Sequence, residues 1–215
     1  MLKHRRIWLV YPIAVLAGIL IYFLPSVLNE SSPYDGTELT GEAPDFQLTD
    51  QHGSMIGLAD FRGQVVVLTF MDSQCRDTCP VIAAHFRQAY QQLDSIESGQ
   101  VVFIGVNVNV EANQIADVNE ITQTWHLDEI PTWHFLTGSP SDLEHVWQTY
   151  NIAVEPALDS QDEILHTPGT YIVDPSGQKR WYVSTSFSAD DNAEFNLLLS
   201  ELLVNHIRES LGESQ

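Results

Sequence analysis

The sequence predicts an α/β fold in three layers, a central mixed sheet flanked by helices, carried behind an N-terminal membrane anchor. Three observations lead there. Val65–Phe70 (VVVLTF) and Val101–Val106 (VVFIGV) are unbroken apolar runs, as expected of strands buried on both faces. Helical periodicity separates them, with Ile82, Phe86, Leu93 and Ile96 on one face of Pro80–Ile96, so the three segments read as a βαβ unit. A hairpin and a long amphipathic helix then close the chain.

Taken in order, Met1–Arg6 is basic and Ile7–Leu28 runs 22 residues without a charge. At a rise of ~1.5 Å per residue such a helix spans a hydrocarbon layer of ~30 Å. Pro12 and Pro25 stand near its ends, and Trp8, Tyr11 and Tyr22 suit the interfaces. A cleaved signal peptide is the competing reading, but the run exceeds the usual apolar core and no small-x-small site follows it. Basic residues ahead of the span place the N-terminus in the cytoplasm and the remainder outside, as a single-pass protein of the cell membrane. Residues 29–42 are polar and turn-rich and read as a tether; residues 43–215 form the domain.

Beyond the βαβ unit, Asn113–Trp125 reads as a helix and Trp133–Leu136 as a short strand. Ser139 caps a helix that has Pro140 at its first position and runs to about Tyr150. Ala153–Leu165 reads as a polar loop. Thr170–Val173 and Lys179–Val183 flank the turn Asp174–Pro175–Ser176–Gly177 as a hairpin, and Asp190–Leu211 is the closing helix, with Phe195, Leu198, Leu199, Leu202 and Ile207 as its stripe. This order is that of a thioredoxin-like three-layer sandwich with insertions.

Charge excludes one function class. The chain carries 29 acidic and 9 basic residues, a formal net charge of −20, and Ser31–Gln215 holds 28 of the acidic residues against six basic ones. Such a surface repels phosphate backbones, so nucleic-acid binding is ruled out. Two cysteines are too few for a disulfide scaffold.

Those cysteines are the most informative residues. Cys75 and Cys79 lie between a buried strand and a helix that Asp77 or Thr78 can cap and that Pro80 suits in its first turn. A thiol at a helix N-terminus feels the positive end of the dipole, which favours the thiolate. If the four-residue spacing is helical, both sulfurs share one face, able to close a disulfide or hold one metal ion. Packed structural cysteines or a static disulfide are the bland readings; so short a loop restricts the unfolded chain only modestly. A metal needs another donor. His166 ends the polar loop just before Thr170–Val173, a junction opposite the helix N-terminus in this fold, and is the candidate. His85, a turn and a half beyond Cys79, is angularly offset. The remaining histidines read as surface or packed residues.

Ala43–Pro44–Asp45–Phe46–Gln47–Leu48, Leu58–Ala59–Asp60–Phe61–Arg62–Gly63–Gln64, Cys75-x-x-x-Cys79–Pro80 with Asp77 between the cysteines, Leu136–Thr137–Gly138–Ser139, and His166 eight residues before the Asp174–Pro175–Ser176–Gly177 turn make a specific set. Over Ala43 to about Val183 the chain resembles the Sco (SenC) family of membrane-anchored copper proteins. The resemblance implies a thioredoxin-like fold, copper as Cu(I) or Cu(II) bound by Cys75, Cys79 and His166, and delivery of copper to the CuA centre of cytochrome c oxidase subunit II, or reduction of its thiols; another copper or thiol partner is the alternative recipient. Leu165 stands where the family usually has an acidic residue, and Asn107–Val108–Asn109–Val110–Glu111 replaces an Asp-Pro-x-x-Asp-Thr-like segment.

Thr167–Pro168–Gly169–Thr170 in turn looks like the cis-proline strand of thioredoxin-like oxidoreductases. It implies a second reading, an extracytoplasmic thiol–disulfide oxidoreductase with Cys75 attacking, Cys79 resolving and Pro168 in cis. Two soft thiolates and an imidazole suit copper, whereas a structural zinc site would want a fourth donor. A peroxiredoxin is disfavoured because Met71–Gln74 (MDSQ) lacks the threonine and proline usual before the reactive cysteine.

Overall fold

The computed structural model describes residues 36–156, 164–183 and 193–212. The expected anchor, Ile7–Leu28, lies outside them; among the described residues no helix is long and apolar enough to cross a membrane.

Seven consecutive buried residues make β4 (Val65–Met71) and seven more make β5 (Val101–Asn107), paired in parallel from Val65 opposite Val101 to Met71 opposite Asn107. Strand β6 (Trp133–Leu136) adds in parallel outside β5. On the other side of β4, β9 (Thr170–Val173) pairs antiparallel, followed by β10 (Lys179–Val183) and the two-residue β1 (Thr37–Glu38). The order is β1-β10-β9-β4-β5-β6, a mixed sheet. Strand β1 begins inside the segment expected to be tether, so the sheet starts at Thr37.

Alternation in the central strands splits the core in two. Val65, Val67, Met71, Val101 and Phe103 point to one side, where they meet α1 (Thr78–Gln92), α2 (Ile115–Thr124) and α4 (Ala193–Gly212) through Ile82, Phe86, Val118, Leu203 and Ile207. Val66, Leu68, Phe70, Val102, Ile104 and Val106 point to the other, against Leu143, Val146 and Trp147 of α3 (Pro140–Thr149) and against Phe46 and Leu48. Each such side chain, fully buried, stabilises the fold by about 1.5–3 kcal/mol relative to exposure.

The β6 edge is covered. Strands β2 (Gln47–Thr49) and β3 (Met55–Gly57) form a hairpin that the sequence pattern did not show. The buried Gln51 side chain from its turn accepts from Phe135 N–H at 2.8 Å and donates to the Trp133 carbonyl at 3.1 Å, standing in for a neighbouring strand.

Helix α1 ends earlier than the expected Ile96. Leu93 is extended (φ −78°, ψ 141°), and the Asp94 carboxylate accepts from Ile96 and Glu97 N–H, turning the chain and leaving Ile96 exposed. The expected loop Ala153–Leu165 contains an antiparallel pair, β7 (Val154–Pro156) and β8 (Ile164–His166). In α4, Leu199, Leu202 and Ile207 are buried as expected; the side chains of Phe195 and Leu198 lie outside the described residues.

Gly105, in the middle of β5, marks where two rings close over the backbone. A Cβ there would come within 2.8 Å of the Trp133 ring and 3.3 Å of Phe135. Trp133 is held from behind by Phe86 and by its Nε1–H donating to Thr122 Oγ1, so it has nowhere to yield. We expect Gly105→Ala to cost about 1–3 kcal/mol in chemical denaturation, against less than about 0.5 kcal/mol for Gly99→Ala, whose Cβ would meet open space.

Candidate metal and thiol site

Strand β4 ends at Met71, and the chain leaves the sheet through Asp72, Ser73 and Gln74 to Cys75. This exit is tied to the exit of the neighbouring strand β5 by side-chain amides. Asn107 Oδ1 accepts from Ser73 and Asn109 N–H, while its Nδ2 donates to the carbonyls of Asn109 and Ala112. Asn109 Oδ1 accepts from Glu111 and Ala112 N–H, and its Nδ2 donates to Asp72 Oδ1 at 2.8 Å. Ser73 Oγ donates to the Ala112 carbonyl at 2.8 Å, and Trp147 Nε1–H donates to the Asn107 carbonyl from α3. Four polar side chains of the loop pair, Asp72, Ser73, Asn107 and Asn109, are buried and hydrogen-bonded.

Asp77 caps α1, its carboxylate accepting from Thr78 N–H at 2.6 Å; that bond, with one from the Cys75 thiol, holds its own pKa below the ordinary value. The helix starts at Thr78, so the Cys75–Cys79 spacing is not helical throughout, as the shared-face reading assumed. Cys75 sits in the loop and Cys79 at the second helical position, and the loop folds back so that Cys79 N–H donates to Cys75 Sγ at 3.3 Å. The sulfurs come together by a different route. Both are free thiols.

Their environments differ. Cys75 is half-buried, and its pKa falls to about 7. The Cys79 thiol donating to its sulfur is the largest cause, and N–H groups of Cys79 and Asp77 and the Thr78 hydroxyl add to it, against partial burial. Cys79 is buried and its pKa is pushed well up, first because its proton is engaged by Cys75 and then by desolvation. Above about pH 7 the pair thus shares one proton, held on the inner sulfur; below it Cys75 carries its own and donates it to Asp77 Oδ1 at 3.2 Å. The helix N-terminus and this sharing make the outer sulfur a thiolate near neutral pH.

His166 reaches the same end of the sheet from the opposite direction. Thr170 of β9 stands opposite Thr69 of β4, and Thr69 Oγ1 donates to the Gly169 carbonyl, so the residues just before β9 run beside the β4 exit. His166 Nδ1 donates to the Thr167 carbonyl at 3.2 Å; a carbonyl only accepts, which leaves Nε2 with the lone pair. Burial lowers the His166 pKa, opposed by the Thr167 carbonyl and by the field of Asp72, so the ring is a neutral donor at pH 7. The segment is clamped from outside. Gly169 takes φ 153°, a Cβ on it would overlap the Tyr182 ring, and Tyr182 Oη donates to the Pro168 carbonyl at 2.6 Å.

The structure therefore unites Cys75 with Cys79 and carries His166 to the same strand end. Among the described residues, no three of His, Cys, Asp or Glu are gathered closely enough to hold an ion. His85 is buried within α1 and belongs to no such group. His134 pairs with Asp50 at 3.2 Å and His206 stacks on Trp181, the packed roles expected of them. The cis form expected at Pro168 is corrected: there is no cis peptide among the described residues, and Gly169 at φ 153° leads into β9. Asp72, Asn107, Asn109 and Tyr182 were not anticipated. The visible signal was a carboxylate set directly after a seven-residue apolar strand.

In the reduced protein we expect iodoacetamide to modify Cys75 with a rate that rises with pH through a midpoint near 7 and then levels, because only the thiolate reacts. Cys79→Ala removes the donated proton, so the midpoint should move up toward 9. A wild-type midpoint at 9, measured by mass spectrometry of the modified peptide, would show that the pair does not share its proton.

The family model described as SCO1/SenC matches residues 35–195. A curated relative, the mitochondrial SCO2 homolog of Bos taurus, is 33% identical over 153 residues, 68% of this chain and 55% of that protein, so the chain spans about half the length of that relative. Among solved structures, Arabidopsis thaliana ScoI with copper bound aligns at a TM-score of 0.63 and 17% identity, covering 80% of this chain and 99% of that one. BsSco, described as a member of the Sco family of cytochrome c oxidase assembly proteins, aligns at 0.59 and 21% identity, covering 81% and 96%. These likenesses establish the thioredoxin-like fold of the Sco structures. With the family model matched over residues 35–195, this chain belongs to the SCO1/SenC family.

Proposed function

We propose that this chain is a copper-binding assembly factor that carries one copper ion on Cys75, Cys79 and His166 and passes it to a copper centre, the CuA site of cytochrome c oxidase subunit II being the recipient the resemblance implies. The observation that carries this reading is the convergence at one strand end of a thiol pair with a neutral imidazole whose Nε2 lone pair is free of its Thr167 bond. Two sulfurs and one imidazole nitrogen form a soft donor set that fits Cu(I) and also serves Cu(II). The donor chemistry fits copper; closing the set requires β8 and the His166–Gly169 segment to move toward the sulfurs. Copper in the ScoI structure and the oxidase-assembly role named for the family of BsSco support the reading.

A second reading, thiol–disulfide exchange, draws on the unequal thiols. An outer sulfur with a pKa of about 7 attacks, and an inner, buried one resolves the mixed disulfide. Delivering copper to CuA and reducing its cysteines both fit this pair. Ile7–Leu28 would anchor either activity at the cell membrane, with the domain on the extracytoplasmic side.

His166 separates the two. We expect His166→Ala to weaken copper binding at least about tenfold in anaerobic chelator competition. Exchange with a small disulfide should stay within about twofold of wild type, since it uses only the sulfurs. Unchanged copper affinity would remove His166 from the ligand set; failure of the reduced wild-type protein to take up about one equivalent of copper would end the copper reading.

A further inference from the structure

Asp72 is a buried carboxylate whose hydrogen bonds to Asn109 and Gln74 a neutral amide could also make. It follows β4 directly, is 3% exposed, and has no lysine or arginine in ion-pair range among the described residues. Burying a lone anion is costly, and an apolar residue at this turn would avoid the cost. Its position is fixed instead. Oδ1 accepts from Asn109 Nδ2 and from Gln74 N–H, both at 2.8 Å, and Asn109 is itself buried and held by the β5 exit loop. Its backbone touches the outer cysteine: the Asp72 carbonyl accepts from Cys75 N–H at 3.1 Å. The field of the carboxylate reaches Cys79 and, across the strand end, His166. Its Oδ1 is engaged by Asn109 and Gln74, so the carboxylate acts on the site through space.

The consequence follows from charge. With the two thiolates, a fixed carboxylate in the same desolvated strand end makes a site that favours a cation, and favours a doubly charged one more. We propose that Asp72 determines the charge state of the copper this site holds, favouring Cu(II) over Cu(I). This rests on the copper reading and adds to it a residue that sets which ion is retained. Asn109 is its positioning residue, aiming one carboxylate oxygen and fixing the other by geometry.

The test is anaerobic competition of the purified full-length protein with chromophoric chelators, run separately for Cu(I) and Cu(II). Asp72→Asn keeps the shape and an oxygen that accepts from Gln74 N–H and Asn109. It should raise the Cu(II) dissociation constant about tenfold or more relative to any change for Cu(I). Glu111→Gln, which removes an exposed charge from the neighbouring loop, should change the ratio less than about threefold. A purely structural role for Asp72 would move both ions together and leave the ratio unchanged, which overturns the proposal while the copper reading stands. An equal shift from Glu111→Gln would also overturn it, because general surface charge would then suffice. If the wild-type protein binds neither ion, the copper reading itself falls. Should Asp72→Asn fail to fold, Asp72→Ser, which still accepts from Gln74 N–H, reads the same ratio.

Discussion

The arrangement depends on how β4 is paired: parallel to β5 on one side and antiparallel to β9 on the other, with every one of its seven residues buried. Parallel neighbours leave a sheet at the same end, and an antiparallel neighbour enters there. Three irregular segments, residues 72–75, 108–112 and 167–169, must therefore meet at one end of β4. Irregular backbone packed together leaves N–H and C=O groups without sheet partners, and these demand satisfaction. Asn107, Asn109, Ser73 and Asp72 provide it between the first two segments; Thr69 and Tyr182 secure the third. Ligand chemistry in α/β sheets gathers at the carboxyl ends of strands for this topological reason.

Electrostatics at that end run against the rest of the molecule. The chain is strongly acidic, yet the outer sulfur titrates near neutral pH because the donors around it, a neighbouring thiol and N–H groups at the start of α1, outweigh the Asp77 carboxylate 3.2 Å away. Short-range hydrogen bonds outweigh diffuse surface charge, which solvent and salt screen. The inner sulfur keeps its proton by burial, and the imidazole stays neutral for the same reason. On the copper reading proposed above, loading would release the proton the two sulfurs share.

Much of this was legible in the sequence. The apolar runs identified β4 and β5 because burial on both faces removes the polar alternation that would blur them, and the turn Asp174–Pro175–Ser176–Gly177 located the β9–β10 hairpin. Cys75, Cys79 and His166 were found from spacing and resemblance. What escaped was set by tertiary context. The three-residue strands β2, β3, β7 and β8 are too short to carry periodicity, and Ile96 lies past a helix end set by Asp94 rather than by hydrophobic pattern. The cis-proline expectation at Pro168 failed: no cis peptide is present among the described residues. Asp72 and Asn109 gain their meaning only when two strand exits, 37 residues apart in sequence, lie side by side.

We propose that one copper ion is held by the sulfurs of Cys75 and Cys79 and the imidazole of His166, donors that lie at one sheet end and close on the ion as His166 moves toward the sulfurs. Copper-edge X-ray absorption on the full-length protein loaded with one equivalent tests it most directly. The account predicts a first shell of two sulfurs and one imidazole nitrogen, with the imidazole scattering lost in His166→Ala. A shell of nitrogen and oxygen alone, or one unchanged by that substitution, would contradict it.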